Sequence, residues 1–284
     1  MIKDMKLNRL FLLGLVLLLA SAVSAQDLIS ANELKQNLKN PNYIIVNAAA
    51  NQKVFIRGAI DLPHGTLCTD EPIRNIIKSP EEMAAELGNH GISADKTIVV
   101  YDEGSTKYAG RMYWMLKYLG APNVKMLDGN ITGWKATRGP IGTASKGSKT
   151  TFTLNVDANQ LATMAEVKKA VNNPSYVIVD ARTPEEYAGT AETELARPGH
   201  VPSAVNVNYE TLVDGKSLLK SNEALTSMFE SKGITKDKTV IVYCETSVRA
   251  GVIYLALKGL GYPNVKVYDG AYLEWQSVDS NEIG

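Results

Sequence analysis

Two tandem α/β domains, each a mainly parallel sheet with helices on both faces, are the fold that this 284-residue sequence predicts. Three observations predict it. The chain repeats itself over domain-sized lengths, short β-branched apolar runs recur in each copy, and helix-like segments alternate with those runs.

Residues 1–25 read as an export signal. Lys3, Lys6 and Arg9 give a basic start, Leu10 to Ala20 is nearly all apolar, and Val23-Ser24-Ala25 fits the small-x-small cleavage pattern. The apolar core is short for a membrane span. Cleavage before Gln26 is expected, leaving a soluble periplasmic or secreted protein with no membrane attachment.

The first unit, residues 26–141, opens on Ser30-Ala-Asn-Glu33, and the second, residues 159–284, on Thr163-Met-Ala-Glu166. Both are capping-box patterns that start a helix. PNYIIVNA from Pro41 then returns as PSYVIVDA from Pro174, and GISADKTIVVYD from Gly91 as GITKDKTVIVYC from Gly233. LGAPNVKMLDG from Leu119 returns as LGYPNVKVYDG from Leu260, and Trp134 as Trp275. The runs Ile44 to Val46, Ile98 to Tyr101 and Val124 to Leu127 predict strands covered on both faces. So do Val177 to Val179, Val240 to Tyr243 and Val265 to Tyr268. Gly110 to Tyr118 and Arg249 to Leu257 predict helices. The Gly- and Ser-rich stretch from Gly139 to Ser148 leads into a linker over residues 142–158.

Charge narrows the function classes. Thirty basic and thirty acidic side chains cancel, so no global field draws nucleic acid or anionic lipid. No basic tract or stacking platform is visible, which excludes nucleic acid as the expected partner. His64, His90 and His200 are scattered and show no metal-ligand spacing.

The chemistry points to Cys244. An apolar run ends on it, a short polar loop follows, and a helix begins near Arg249. A thiol there sits at the carboxyl end of a strand and faces the amino end of a helix, where ligands collect and anions are favoured. The same field favours thiolate, the nucleophilic form. Cys68 lies in the other half and reads as a small, partly buried hydrophobe; two cysteines are too few for a disulfide scaffold. Laying one half over the other puts Asp102 at the position of Cys244. A carboxylate can fill an N–H-lined cradle and cap a helix, but it cannot carry sulfur. Asn47 and Ala49 likewise stand where the second half has Asp180 and Arg182. The expectation is one working site, with the first domain as partner and wall.

These residues resemble a tandem-domain rhodanese, the thiosulfate and 3-mercaptopyruvate sulfurtransferase family, over nearly the whole mature chain. The resemblance rests on Asp180-Ala-Arg182, Gly199-His200-Val-Pro202-Ser-Ala204, the Cys244 loop, and Val267-Tyr-Asp269-Gly270 followed by Glu274-Trp275. It implies an active site facing the cleft between the domains. It also implies sulfur transfer from a donor such as thiosulfate, through a Cys244 persulfide, to cyanide, a thiol or a protein cysteine. Glu245, Thr246, Ser247, Val248 and Arg249 would curl around the terminal sulfur, with Arg182 as a further substrate-side candidate. No metal or organic cofactor is implied. Arg182 is expected to hold the domain together by pairing with a carboxylate, and His200 to bond the backbone near its turn.

The loop Cys-Glu-Thr-Ser-Val-Arg departs from the family's thiosulfate-type and mercaptopyruvate-type patterns and looks more like the Cys-x-x-x-x-Arg of single-domain members. Glu186 stands where tandem enzymes tend to carry a substrate-binding arginine. It is expected to be exposed at a helix start. Arg249 reads either as the missing positive charge or as a helix-surface residue. Two rivals remain: a cysteine phosphatase or arsenate reductase, whose loops resemble Cys-x5-Arg, and a persulfide relay without fast turnover.

Overall fold

The computed structural model describes residues 27–284; the signal predicted over residues 1–25 lies outside the described residues. Each half builds a five-stranded sheet. In the first, β1 (Leu28–Ile29), β2 (Tyr43–Asn47), β3 (Ile60–Asp61), β4 (Thr97–Tyr101) and β5 (Val124–Leu127) take the order β1-β5-β4-β2-β3. In the second, β6 (Leu161–Ala162), β7 (Tyr176–Asp180), β8 (Val205–Asn206), β9 (Thr239–Tyr243) and β10 (Val265–Tyr268) take the matching order β6-β10-β9-β7-β8. Every pairing within the two sheets is parallel.

Helices α1 (Ala31–Asn37), α2 (Pro80–Asn89), α3 (Lys107–Tyr118) and α4 (Asn130–Ala136) belong to the first half. The second carries α5 (Met164–Ala170), α6 (Pro184–Tyr187), α7 (Asn222–Glu230), α8 (Ala250–Gly259) and α9 (Ala271–Ser277). The central strands lack polar alternation because both their faces are covered. Ile98 and Val100 of β4 point into one core layer, Val99 and Tyr101 into another. In β9, Val240 and Val242 likewise share the first layer, while Ile241 and Tyr243 face a third. That first layer runs without a break through both halves, so the domains share a core.

Ser30 and Thr163 cap α1 and α5 as expected, accepting from the N–H groups of Glu33 and Glu166. The complete reciprocal boxes are elsewhere, at Ser79 with Glu82 and at Thr183 with Glu186. Glu166 instead pairs with Lys266 at 2.7 Å. The segment from 142 to 158 is no free tether. Ile141–Gly142 pairs antiparallel with Phe55–Ile56, Ser145 N–H donates to Ala59 at 2.7 Å, Thr150 N–H donates to Gly88 at 2.9 Å, and Phe152 is buried.

The halves meet where α3 crosses α8. A Cβ on Gly251 would lie 2.4 Å from the carbonyl carbon of Gly110, and one on Gly110 would lie 2.8 Å from that of Gly251. The helices thus touch backbone to backbone, which only glycine permits. Around this crossing each half reaches over the other in matching fashion. Ile77 N–H donates to Asp269 at 2.9 Å, and Leu219 N–H donates to Asp128 at 3.1 Å. Asn75 Nδ2 donates to the Thr246 carbonyl at 3.0 Å, and Ser217 Oγ donates to the Gly104 carbonyl at 2.5 Å.

Candidate active site

Cys244 follows β9 directly, and the loop from Glu245 to Arg249 delivers the chain to the first residue of α8. Three contacts set its curl. Cys244 and Glu245 carbonyls accept from Tyr272 and Leu273 N–H at 3.0 and 3.2 Å. Ser247 adopts the left-handed conformation at φ 57°, and its buried hydroxyl donates to the Tyr268 carbonyl. Among the described residues, no protein acceptor receives the N–H groups of Glu245 to Arg249.

The matching loop of the first domain shows what such a ring of amides holds. Asp102 Oδ1 accepts from Gly104 and Thr106 N–H at 2.9 and 3.1 Å. Its Oδ2 accepts from Tyr108 and Ala109 N–H, both at 3.2 Å. The carboxylate is the cap expected of it and an anion held in the cradle. Burial, joined by the charge of Glu103, pushes its pKa up to about 6 against the pull of these amides. Thr106 repeats the left-handed turn of Ser247, at φ 67°.

First-domain residues cover the Cys244 loop, and sequence reasoning could not name them. Arg74 Nη2 lies 2.7 Å from Glu245 Oε1. Asn75 carries the contact to Thr246 given above. Behind them Arg111, wholly buried on α3, reaches Asp269 Oδ1 at 2.6 Å and donates to the Asn75 carbonyl at 3.0 Å. The signal lay in the repeat itself: Asn75 and Ser217 sit at matching places, both with φ above 60°.

Several expectations need correction. Cys244 is only 1% exposed, so the thiol lies under cover. Glu186 is not a solvent-facing helix start. Its oxygens receive Arg249 Nη1 and Nη2 at 2.6 and 2.7 Å, and one also accepts from Thr183 N–H. Burial raises the Glu186 pKa, but the hydrogen bonds and charge of Arg249 outweigh it, and the net shift is downward. Arg249 is no surface decoration either: its side chain is one-fifth exposed and held against Glu186.

Arg182 is an anchor, not a substrate group. Its guanidinium donates to Asp180 at 2.6 to 3.1 Å and to the Gly199 carbonyl at 2.7 Å, and it lies over the Tyr272 ring. It is fully enclosed. His200 Nδ1 contacts the Tyr187 carbonyl at 2.9 Å, with the two rings stacked. Cys68 is free and buried, with its Sγ 3.6 Å from the His64 carbonyl and 3.9 Å from Arg111. Burial raises its pKa. Among the described residues, no group of three His, Cys, Asp or Glu is placed to hold a metal ion, and no helix is long and apolar enough to cross a membrane.

Known proteins are similar to this chain in sequence and fold. The family described as the rhodanese-like domain matches twice, over residues 30–137 and 163–278. The thiosulfate sulfurtransferase of Pseudomonas aeruginosa is 32% identical over 255 residues, covering 87% of this chain and 93% of its own. The 3-mercaptopyruvate sulfurtransferase of Escherichia coli is 34% identical over 218 residues, covering 72% of this chain and 73% of its own. The crystal structure of an Escherichia coli 3-mercaptopyruvate sulfotransferase superposes with a TM-score of 0.79 at 29% identity, over 86% of this chain and 98% of its own. An anaerobic ergothioneine biosynthesis enzyme from Chlorobium limicola shares the fold, with a TM-score of 0.82 at 21% identity over 92% of this chain and 70% of its own.

Proposed function

The chain belongs to the rhodanese family of sulfurtransferases, and from that premise we propose that it works in two half-reactions at Cys244, with the first domain as a wall. The Cys244 thiolate attacks the transferable sulfur of the donor. The bond between that sulfur and the rest of the donor breaks, and the remainder leaves with the electron pair, as sulfite when the donor is thiosulfate. The outer sulfur of the persulfide is then taken by a nucleophilic acceptor (cyanide, a small thiol or a protein cysteine), and the thiolate returns. Donor and acceptor supply every electron.

One observation carries this reading. The thiol opens a ring of amides that no acceptor among the described residues fills, while the twin ring of the first domain holds a carboxylate at 2.9 to 3.2 Å. A ring of that kind stabilises negative charge on a terminal sulfur. Thiosulfate and 3-mercaptopyruvate are the donors that the relatives' names supply. Four residues separate Cys244 from Arg249, a tighter ring than the phosphatase pattern, which suits one sulfur atom better than a phosphate. The buried thiol supports a second reading, a persulfide relay that opens only for a protein partner. The basic, apolar and small-residue order of residues 1–25 supports export to the periplasm or medium.

Intact mass spectrometry after exposure to each donor tests the assignment. Wild type should gain one sulfur atom and lose it to cyanide. Cys244→Ser should gain none while melting as wild type does. Sulfur transfer surviving in that variant would remove Cys244 from its role.

A further inference from the structure

Resting on the sulfurtransferase reading, the structure assigns Glu186 a specificity role: by holding Arg249, the last residue of the Cys244 loop, in a two-pronged ion pair, it disfavours doubly charged donors against donors of single charge. Each arginine that contacts the Cys244 loop is already matched by a carboxylate of this chain. Arg249 meets Glu186 at 2.6 and 2.7 Å, both side chains one-fifth exposed. Arg74 meets Glu245 at 2.7 Å. The more enclosed Arg182 is taken by Asp180. These pairs add no net charge to the wall around the sulfur.

A dianion such as thiosulfate therefore has two ways in, and both are costly. It can take Arg249 from Glu186, which leaves a half-buried carboxylate without its partner. Or it can leave the pair intact and lie beside Glu186, where like charges repel. A donor with one negative charge meets the second penalty at half strength and has no need of the first. Glu186 is held in place from its own helix as well, through Thr183 N–H at 3.1 Å, so it cannot swing away freely.

Glutamine at this position keeps the reciprocal cap of α6 and releases the Arg249 charge. The experiment compares kcat/KM for thiosulfate and for 3-mercaptopyruvate in wild type, Glu186→Gln, Arg249→Gln and the double variant. The thiosulfate to 3-mercaptopyruvate ratio should rise about tenfold or more in Glu186→Gln, the scale of one hydrogen bond to a freed charged group. Most of that rise should be lost in the double variant, where only the relief of like-charge repulsion remains. In wild type, sulfate used as an inert dianion should inhibit 3-mercaptopyruvate turnover no more than chloride at equal ionic strength, and this arm needs no variant to fold. An unchanged ratio with Cys244 still sulfurated, or specific sulfate inhibition of wild type, overturns the inference alone. Failure of both donors to sulfurate Cys244 overturns the sulfurtransferase reading and the inference with it.

Discussion

Arg111 of the first domain and Asp269 of the second form an ion pair across the domain boundary, 2.6 Å apart, with side chains 0% and 5% exposed. The same arginine donates to the Asn75 carbonyl, and the other carboxylate oxygen accepts from Ile77 N–H. Between them the two residues pin both sides of the segment that lies over the Cys244 loop.

Asp269→Asn should therefore loosen that segment as well as the fold. Removing one charge of a buried pair leaves the other uncompensated and costs about 3–5 kcal/mol. Urea unfolding should show that loss, and alkylation of Cys244 by iodoacetamide should quicken. Replacing both partners by apolar residues, as Arg111→Met with Asp269→Leu, should restore much of the stability. If Asp269→Asn unfolds at the wild-type urea concentration, the pair does not carry the interface.

Cys68→Ser should leave sulfur transfer within about twofold and lower stability by about 1 kcal/mol. Its sulfur contacts Arg111 at 3.9 Å, a weak contact beside those to Asp269 and Asn75. Steady-state cyanolysis checks this; a large loss would make Cys68 part of the chemistry.

Gly251→Ala should damage stability and turnover together. The added carbon would sit 2.4 Å from the Gly110 backbone, and overpacking of this kind costs about 1–3 kcal/mol. Because α8 begins at the end of the Cys244 loop, pushing it off α3 also misplaces the amides. Thermal melting and kcat measured on one preparation should fall in step. A variant that melts at the wild-type temperature would mean that the helices do not cross there.

Asp102→Asn should flatten one part of the pH dependence of stability. The folded carboxyl titrates at about 6, raised by burial and by Glu103 above its ordinary 3.8. The unfolded chain gives up this proton first, so the stabilisation is complete below about pH 4 and is lost as pH rises through about 6. Wild type should lose about 1–3 kcal/mol over that window relative to the variant. Glu186 acts with the opposite sign: its carboxyl is held low, so its stabilisation disappears as pH falls. Both proteins carry it, and subtracting their urea-derived stability curves removes it. Parallel curves between pH 4 and 6 would refute the titration of Asp102.

The sequence by itself determined the two-fold repeat, the parallel sheets and the cysteine at a strand end. These follow from local pattern: a β-branched run with both faces buried needs no distant partner to declare itself. That Arg182 pairs with a carboxylate was legible, but not that Asp180, two residues away, supplies it. Only the tertiary structure decided what covers Cys244 and where Glu186 points. Arg74, Asn75 and Arg111 reach the site from the other domain because two helices meet at Gly110 and Gly251, a contact no single stretch of chain encodes. Glu186 has the composition of an exposed helix start, yet its carboxylate turns to Arg249, sixty-three residues away. Charge pairing between distant segments depends on which surfaces the fold brings together, and periodicity carries no record of that.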